Sequence, residues 1–153
     1  MSAVVRVARI GDREELARMR EALWPESSAE EHAEELLGIL EGKGFGTMPL
    51  VELVATESSG ALIGFAEVGL RSHADGCDAS HGVGYIEGWY VVKSHRKQGI
   101  GRKLLAAAEH WARKQGCVEM ASDALVENEV SQRAHAALGY AVVDRCVRYR
   151  KVL

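Results

Sequence analysis

The stretch from residue 84 to residue 115 constrains the fold more than any other. Residues 84–92 read Gly-Tyr-Ile-Glu-Gly-Trp-Tyr-Val-Val. β-branched and aromatic side chains follow one another almost without a break, which predicts a buried strand. Residues 102–115 predict a helix, because Leu104, Leu105, Ala108, Trp111 and Ala112 recur at spacings of three and four and share one face. Between strand and helix lies Arg96-Lys97-Gln98-Gly99-Ile100-Gly101. Glycines just ahead of a helix permit a tight turn that leaves backbone N–H groups pointing outward at the positive end of the helix dipole. Such a turn is an anion site, best suited to a phosphate or pyrophosphate. It is neither a P-loop nor the dinucleotide fingerprint, since Gly-x-x-x-x-Gly-Lys-[Ser/Thr] and Gly-x-Gly-x-x-Gly are both missing. A surface loop ahead of an ordinary helix start is the bland alternative.

The remainder of the chain limits the class of protein. At 153 residues it has the length of one domain, 1–153, with room for a substantial core. Apolar residues make up 47% and charged residues 27%, as in an ordinary globular protein. No apolar run approaches the roughly 20 residues that span a bilayer, and Arg6 interrupts the N-terminus too early for a secretory signal. No membrane partner is expected. Cys77, Cys117 and Cys146 are odd in number and lack metal-ligand spacing, so reduced thiols in a cytoplasmic protein and no metal site are expected. A formal charge of −3 argues against nucleic acid and is compatible with a cationic partner.

In chain order, Val4–Ile10 predicts a strand, and Asp12 an N-cap with Glu15 as its capping-box partner for a helix over Arg13–Leu23. Trp24-Pro25 ends that helix. A second helix starts near Ser28 and runs to about Leu40, followed by a loop marked by Gly42, Gly44 and Gly46. Leu50–Thr56 and Leu62–Leu70 predict a hairpin joined through Glu57-Ser58-Ser59-Gly60. His73–Val83 is a polar loop. After the central strand and helix come a strand over Cys117–Asp123, a helix over Glu129–Leu138 and a final strand over Tyr140–Tyr149. There is no repeat, linker or low-complexity tract, and the order fits a single α/β domain.

With its strand ending in Val91-Val92, Arg96-x-x-Gly99-x-Gly101 resembles the acyl-CoA signature of the GNAT superfamily of N-acetyltransferases. The element order is similar to that family's, and Asn128-x-x-Ser131-x-x-x-His135-x-x-x-Gly139-Tyr140 resembles its second motif. The resemblance implies the GNAT fold, a mixed central sheet with splayed central strands flanked by helices, and acetyl-CoA as co-substrate. It implies that Arg96, Lys97, Gln98, Gly99, Ile100, Gly101 and Arg102 hold the CoA pyrophosphate. Trp89, Tyr90 and Val91 would line the pantetheine arm and Asn128 would bind the CoA amide region. His135 stands where the family often carries the tyrosine that protonates the departing thiolate. Tyr90 and Tyr149 are other hydroxyl donors, and His135 is alternatively a packing residue.

Leu23-Trp24-Pro25, Gly76-Cys77-Asp78, Glu87-Gly88, Glu119-Met120-Ala121-Ser122-Asp123, Glu127-Asn128 and Ala137-Leu138-Gly139 resemble one branch more closely, the aminoglycoside 6′-N-acetyltransferases. That resemblance implies a pocket for a small cationic aminosugar lined by Trp24, Glu87, Asp123 and Asp144. It also implies His73, in a loop that is one residue shorter here, and a homodimer.

The chemistry supports the same residues. Acetyl transfer to an amine requires loss of a proton, stabilisation of the carbonyl oxygen and departure of the thiolate. Glu87 is the candidate base, directly or through water, because a carboxylate within an apolar run costs several kcal/mol, to order of magnitude, unless paired or functional. Strand alternation places Tyr85, Glu87, Trp89 and Val91 on one face, with Ile86, Gly88, Tyr90 and Val92 on the other. A structural carboxylate is the alternative for Glu87, a cap for Asp123, a surface ion pair for Asp144 and a core cap for Trp24. No activating partner is visible for the cysteines, which favours direct attack over an acetyl-enzyme. The competing functions are a GNAT enzyme for another amine or a protein N-terminus, and a non-catalytic acyl-CoA sensor.

Overall fold

The computed structural model of the chain describes residues 3–43 and 48–153, so Gly44 and Gly46 of the expected glycine loop lie outside the described residues. In chain order the elements are β1 (Val4–Val7), α1 (Arg13–Leu23), α2 (Ala29–Leu40), β2 (Leu50–Thr56), β3 (Leu62–Arg71), β4 (Val83–Val91), α3 (Ile100–Lys114), β5 (Met120–Ser122) and α4 (Glu129–Ala137). The strands form one sheet in the order β1-β2-β3-β4-β5. Neighbours are antiparallel except β4 and β5, which run parallel.

Helices cover both faces. Ile100, Leu104, Leu105 and Ala108 of α3 pack on Leu53, Ala55, Ala66, Val68 and Ile86. On the opposite face Leu16, Ala17 and Met19 of α1, with Ala33 and Leu36 of α2, pack on Val54 and Phe65. Leu16, Leu36, Leu104 and Phe65 are fully buried, each contributing about 1.5–3 kcal/mol. Ser28 opens α2 as expected, its Oγ accepting from Glu31 N–H while Glu31 Oε2 accepts from Ser28 N–H at 2.7 Å.

The start of α1 differs from the expectation. A 3-10 turn over Ile10–Asp12 precedes it, and Asp12 caps that turn by accepting from Arg9 N–H and from the fork of Arg6. Glu15 closes no capping box: its carboxylate accepts from Leu62 N–H at 2.9 Å, tying α1 to the start of β3. That acid is spent on a tertiary contact that local spacing does not reveal.

The face assignment within β4 also needs correction. Gly88 pairs with Glu67 and Ile86 with Val68, so Glu87 is an extra residue in the ladder, a β-bulge. A bulge resets alternation by one position. Ile86, Trp89 and Val91 consequently belong to the α3 side. Gly88, against Trp24 and Phe65, and Tyr90 belong to the α1/α2 side. Glu87 shares the bidentate Arg71 fork with the ring of Tyr85 beneath it, and does not share a face with Trp89.

Three expected strands differ, and Val4–Ile10 supplies only Val4–Val7 because Ile10 already belongs to the 3-10 turn. The segment 117–123 supplies only Met120–Ser122, and Tyr140–Tyr149 forms no strand at all. Val142, Val143, Val147, Tyr149, Val152 and Leu153 are all exposed. The residues have strand character but pair with no strand among the described residues, and a lone strand leaves its N–H and C=O groups without ladder partners.

Candidate active site

Pairing of β4 with β5 stops at Ile86↔Ser122, while β4 continues to Val91. β5 ends there, so among the described residues the edge of β4 from Glu87 to Val91 has no sheet neighbour on the β5 side. The positive end of α3 follows directly. Gly99, with φ 80°, is its N-cap and no side chain caps it; Lys97, with φ 62°, is the sole non-glycine residue in the left-handed region among the described residues. Left-handed backbone at Lys97 and Gly99 turns successive amides outward, and the uncapped first turn leaves its N–H groups without intrahelical partners. This is a fit for a pyrophosphate on main-chain nitrogens.

Arg96 braces this turn from behind. Its Nε donates to Val91 O at 2.8 Å and its guanidinium lies over the Tyr90 ring. Trp89 braces the other side: its indole N–H donates to Gly101 O at 3.2 Å, and a Cβ on Gly101 would stand only 3.0 Å from the indole. Close approach explains why glycine occupies that position. Asn128 is the N-cap of α4, its Oδ1 accepting from Ser131 N–H.

His135 sits at the end of β5. Nδ1 lies 2.7 Å from Ser131 O and Nε2 lies 2.8 Å from Ser122 Oγ. Since a carbonyl can only accept, Nδ1 carries the hydrogen and, in the neutral ring, Nε2 accepts from Ser122. The ring stands edge-on to both Trp89 and Tyr140. Tyr140 O–H donates to Glu109 Oε1, and burial followed by that bond raises its pKa far above the ordinary tyrosine range. Tyr149 is almost wholly exposed, outside any core.

The acids gather on the other side of β4. Asp123 directly follows β5 and accepts from Tyr85 O–H at 2.7 Å. Burial, and after it this bond, pushes the Tyr85 phenol up to about 12. Glu87 accepts both arms of Arg71, Nε at 2.9 Å and Nη2 at 2.8 Å. The Arg71 guanidinium lies 3.4 Å from the Tyr85 ring centre. Trp24, at the end of α1, presses against Gly88, where a Cβ would come within 2.5 Å of its ring. Its placement is enforced by Arg20, which stacks on the indole, and by His32, whose Nε2 lies 3.0 Å from Trp24 O.

Arg20 is itself buried and anchors Glu35, Glu52 and Glu67. Burial, with the negative charge of Glu67 second, holds the Glu52 carboxyl well above the usual range. Glu67 borders a small cavity of about 210 Å³ together with Glu87. A larger cleft of about 1060 Å³ is lined by Arg71, His73, Tyr85, Asp123, His135 and Asp144. His73 is exposed there and bonded to Ser72 Oγ. Asp144 is exposed too, accepting only from Arg145 N–H.

Of the sequence candidates, the fold thus joins Glu87 and Asp123 through Arg71 and Tyr85, sets Trp24 beside Gly88 on the same face, and puts His73 and Asp144 around the adjoining cleft. Arg71, Tyr85, Ser122 and Glu67 were not singled out. Tyr85 had the one available signal, its two-residue offset from Glu87. Cys77 and Cys117 have pKa values raised first by burial, and the three cysteines are free. Such thiols are poor nucleophiles. No group of three or more His, Cys, Asp and Glu residues that could hold a metal occurs among the described residues.

The chain is similar to known acetyltransferases along nearly its whole length. The model of the acetyltransferase (GNAT) family matches residues 13–140. An aminoglycoside N(6′)-acetyltransferase type 1 of Klebsiella aerogenes is 41% identical over 152 residues, covering 99% of this chain and 98% of the relative. One of Serratia marcescens is 42% identical over 136 residues, covering 88% of this chain and 89% of the relative. The structure of AAC(6′)-Iy with the bisubstrate analogue CoA-S-monomethyl-acetylneamine superimposes with a TM-score of 0.88 at 33% identity, covering 100% of both chains. AAC(6′)-Ih of Acinetobacter baumannii gives 0.87 at 25% identity, covering 99% of each. The chain belongs to the GNAT acetyltransferase family, in the group of the aminoglycoside N(6′)-acetyltransferases type 1.

Proposed function

We propose that this chain, as one catalytic domain over residues 1–153, transfers the acetyl group of acetyl-CoA to the 6′-amine of aminoglycoside antibiotics by direct attack in a ternary complex. The observation that carries this reading is that β5 ends at Ser122, opposite Ile86, while β4 runs on to Val91. It leaves a free strand edge between the uncapped turn of α3 on one side and Glu87 with Asp123 on the other. Relatives across nearly the full length are named for this activity.

Acetyl-CoA supplies an activated thioester. The amides of Lys97–Arg102 bind its pyrophosphate, with Arg96 and Trp89 bracing the turn, and the edge of Trp89, Tyr90 and Val91 pairs with the pantetheine arm. Asn128 binds the CoA amide region. Backbone N–H groups of the same edge donate to the carbonyl oxygen, where a preorganised donor contributes most. Trp24 presents its ring to the sugar, while Glu87, Asp123, Asp144 and His73 receive the polycation. Glu87, directly or through one water, takes the proton of the 6′-ammonium. In the neutral ring the His135 Nδ1 hydrogen is held by Ser131 O and the Ser122 hydroxyl hydrogen by Nε2, so His135 serves as the acid for the departing thiolate only as the imidazolium, through Nε2–H. The raised thiol pKa values of Cys77 and Cys117 speak for direct attack.

The exposed, strand-like segment 141–153 supports a homodimer in which this segment finds its missing neighbour on a second copy. Free cysteines suit the cytoplasm. Substrate profiling tests the function. Kanamycin or tobramycin is acetylated, and an analogue with a 6′-hydroxyl is not. Acetylation of polyamines or peptide N-termini alone, or CoA binding without acetylation of any amine, would overturn the reading.

A further inference from the structure

The acid cluster assigned to the substrate already holds a cation of the chain's own. Arg71 binds Glu87 through both oxygens, rests on the Tyr85 ring, and is further drawn by the charge of Asp123. A carboxylate forked this way presents its best acceptor directions to the guanidinium. An incoming ammonium needs those same directions.

We propose that Arg71 is a specificity-determining placeholder, a guanidinium that occupies the ammonium subsite of Glu87, Tyr85 and Asp123 and is displaced by a polycationic aminosugar. The inference rests on the reading of Glu87 as host of the acceptor amine. Its location permits the exchange. Arg71 is the last residue of β3, just ahead of the 72–82 loop, and its side chain is 45% exposed. Swinging it into solvent releases the Glu87 fork and uncovers the Tyr85 ring. In the absence of substrate the pair keeps an unscreened carboxylate from standing beside Asp123, and the stacked guanidinium shields the aromatic face. A substrate carrying several ammonium groups replaces the guanidinium with interactions to Glu87 and Asp123 together. A neutral sugar replaces none of them, so the placeholder favours polycations.

Steady-state kinetics with kanamycin and acetyl-CoA test this. In Arg71→Ala the KM for kanamycin falls by about fivefold, the scale expected for releasing one exposed ion pair, and the KM for acetyl-CoA stays put. Guanidinium chloride at non-denaturing millimolar concentration refills the vacated place: it raises the kanamycin KM of Arg71→Ala and leaves that of the wild type unmoved. Arg71→Lys, which keeps the charge without the fork, shifts KM in the same direction by less and guards against a folding defect in the alanine variant. Wild-type acetylation with a kanamycin KM unchanged or raised in both variants, or no guanidinium effect, overturns the placeholder alone. Absence of wild-type acetylation of any aminoglycoside overturns the functional reading, and the placeholder with it.

Discussion

Tyr85 on β4 donates its hydroxyl to Asp123, the residue directly after β5, at 2.7 Å. This bond lies one residue before the pairing of β4 with β5 ends, and fixes the acid at the carboxyl end of a parallel pair, where open α/β sheets bind their ligands. Because burial is the first cause of the raised Tyr85 pKa and the Asp123 bond the second, Asp123→Asn lowers it from about 12 toward the ordinary value of 10. Titration of tyrosinate absorbance checks the shift. The same variant raises the KM for aminoglycoside while leaving that for acetyl-CoA unchanged.

Glu87 occupies a bulge, so its side chain projects from an irregular point of the strand and bears no packing load. Glu87→Gln keeps the fold, with a Tm within a few degrees of wild type. Its kcat drops by about 100-fold or more, the usual contribution of a positioned base. Full retention of kcat removes Glu87 from proton transfer.

Gly88→Ala tests the place of Trp24. The new methyl would stand 2.5 Å from the indole and 3.4 Å from Phe65, so Trp24 must move. The expected result is a severalfold higher KM for aminoglycoside with unchanged acetyl-CoA binding. Equal loss of both affinities would mean that the whole strand shifts.

Glu52 gives the fold a pH dependence of defined sign. Its folded pKa lies above the ordinary 4.5, so the native state binds more protons than the unfolded state above that pH. Stability from this group is full below 4.5 and is lost as pH rises toward the folded pKa. Glu52→Gln, permanently neutral, flattens that part of the Tm-against-pH curve. Glu52→Ala leaves Arg20 and Glu67 around a hole and costs about 3 kcal/mol or more.

The segment 141–153 carries the assembly prediction. Light scattering of the full chain gives twice the chain mass, and Val147→Glu with Tyr149→Glu lowers it to one chain, since both side chains are exposed within a single copy. A monomeric wild type contradicts the proposed dimer.

The strand-turn-helix around Gly99 and Gly101 was legible in the sequence because its signals are local: side-chain periodicity, glycine before a helix, and a basic residue beside them. The hairpin at Gly60 and the start of α2 near Ser28 were legible for the same reason. What stayed hidden depends on partners far along the chain. One inserted residue at Glu87 reverses the faces of half a strand without changing its composition. Glu15 has the spacing of a capping-box partner but bonds to the distant Leu62, and nothing in Val83–Val91 announces that Arg71 will reach across to Glu87. The segment 141–153 has the pattern of a strand but no neighbour to pair with. Its pattern describes what the segment can pair with, and no strand among the described residues does so.

A crystal structure with CoA and kanamycin bound together tests the central claim most directly. The account predicts pyrophosphate oxygens on the amides of Lys97–Arg102, the sulfur between β4 and β5, and the 6′-nitrogen within hydrogen-bond reach of Glu87 or one water away. A CoA bound elsewhere, or a sugar amine distant from both Glu87 and Asp123, would contradict it.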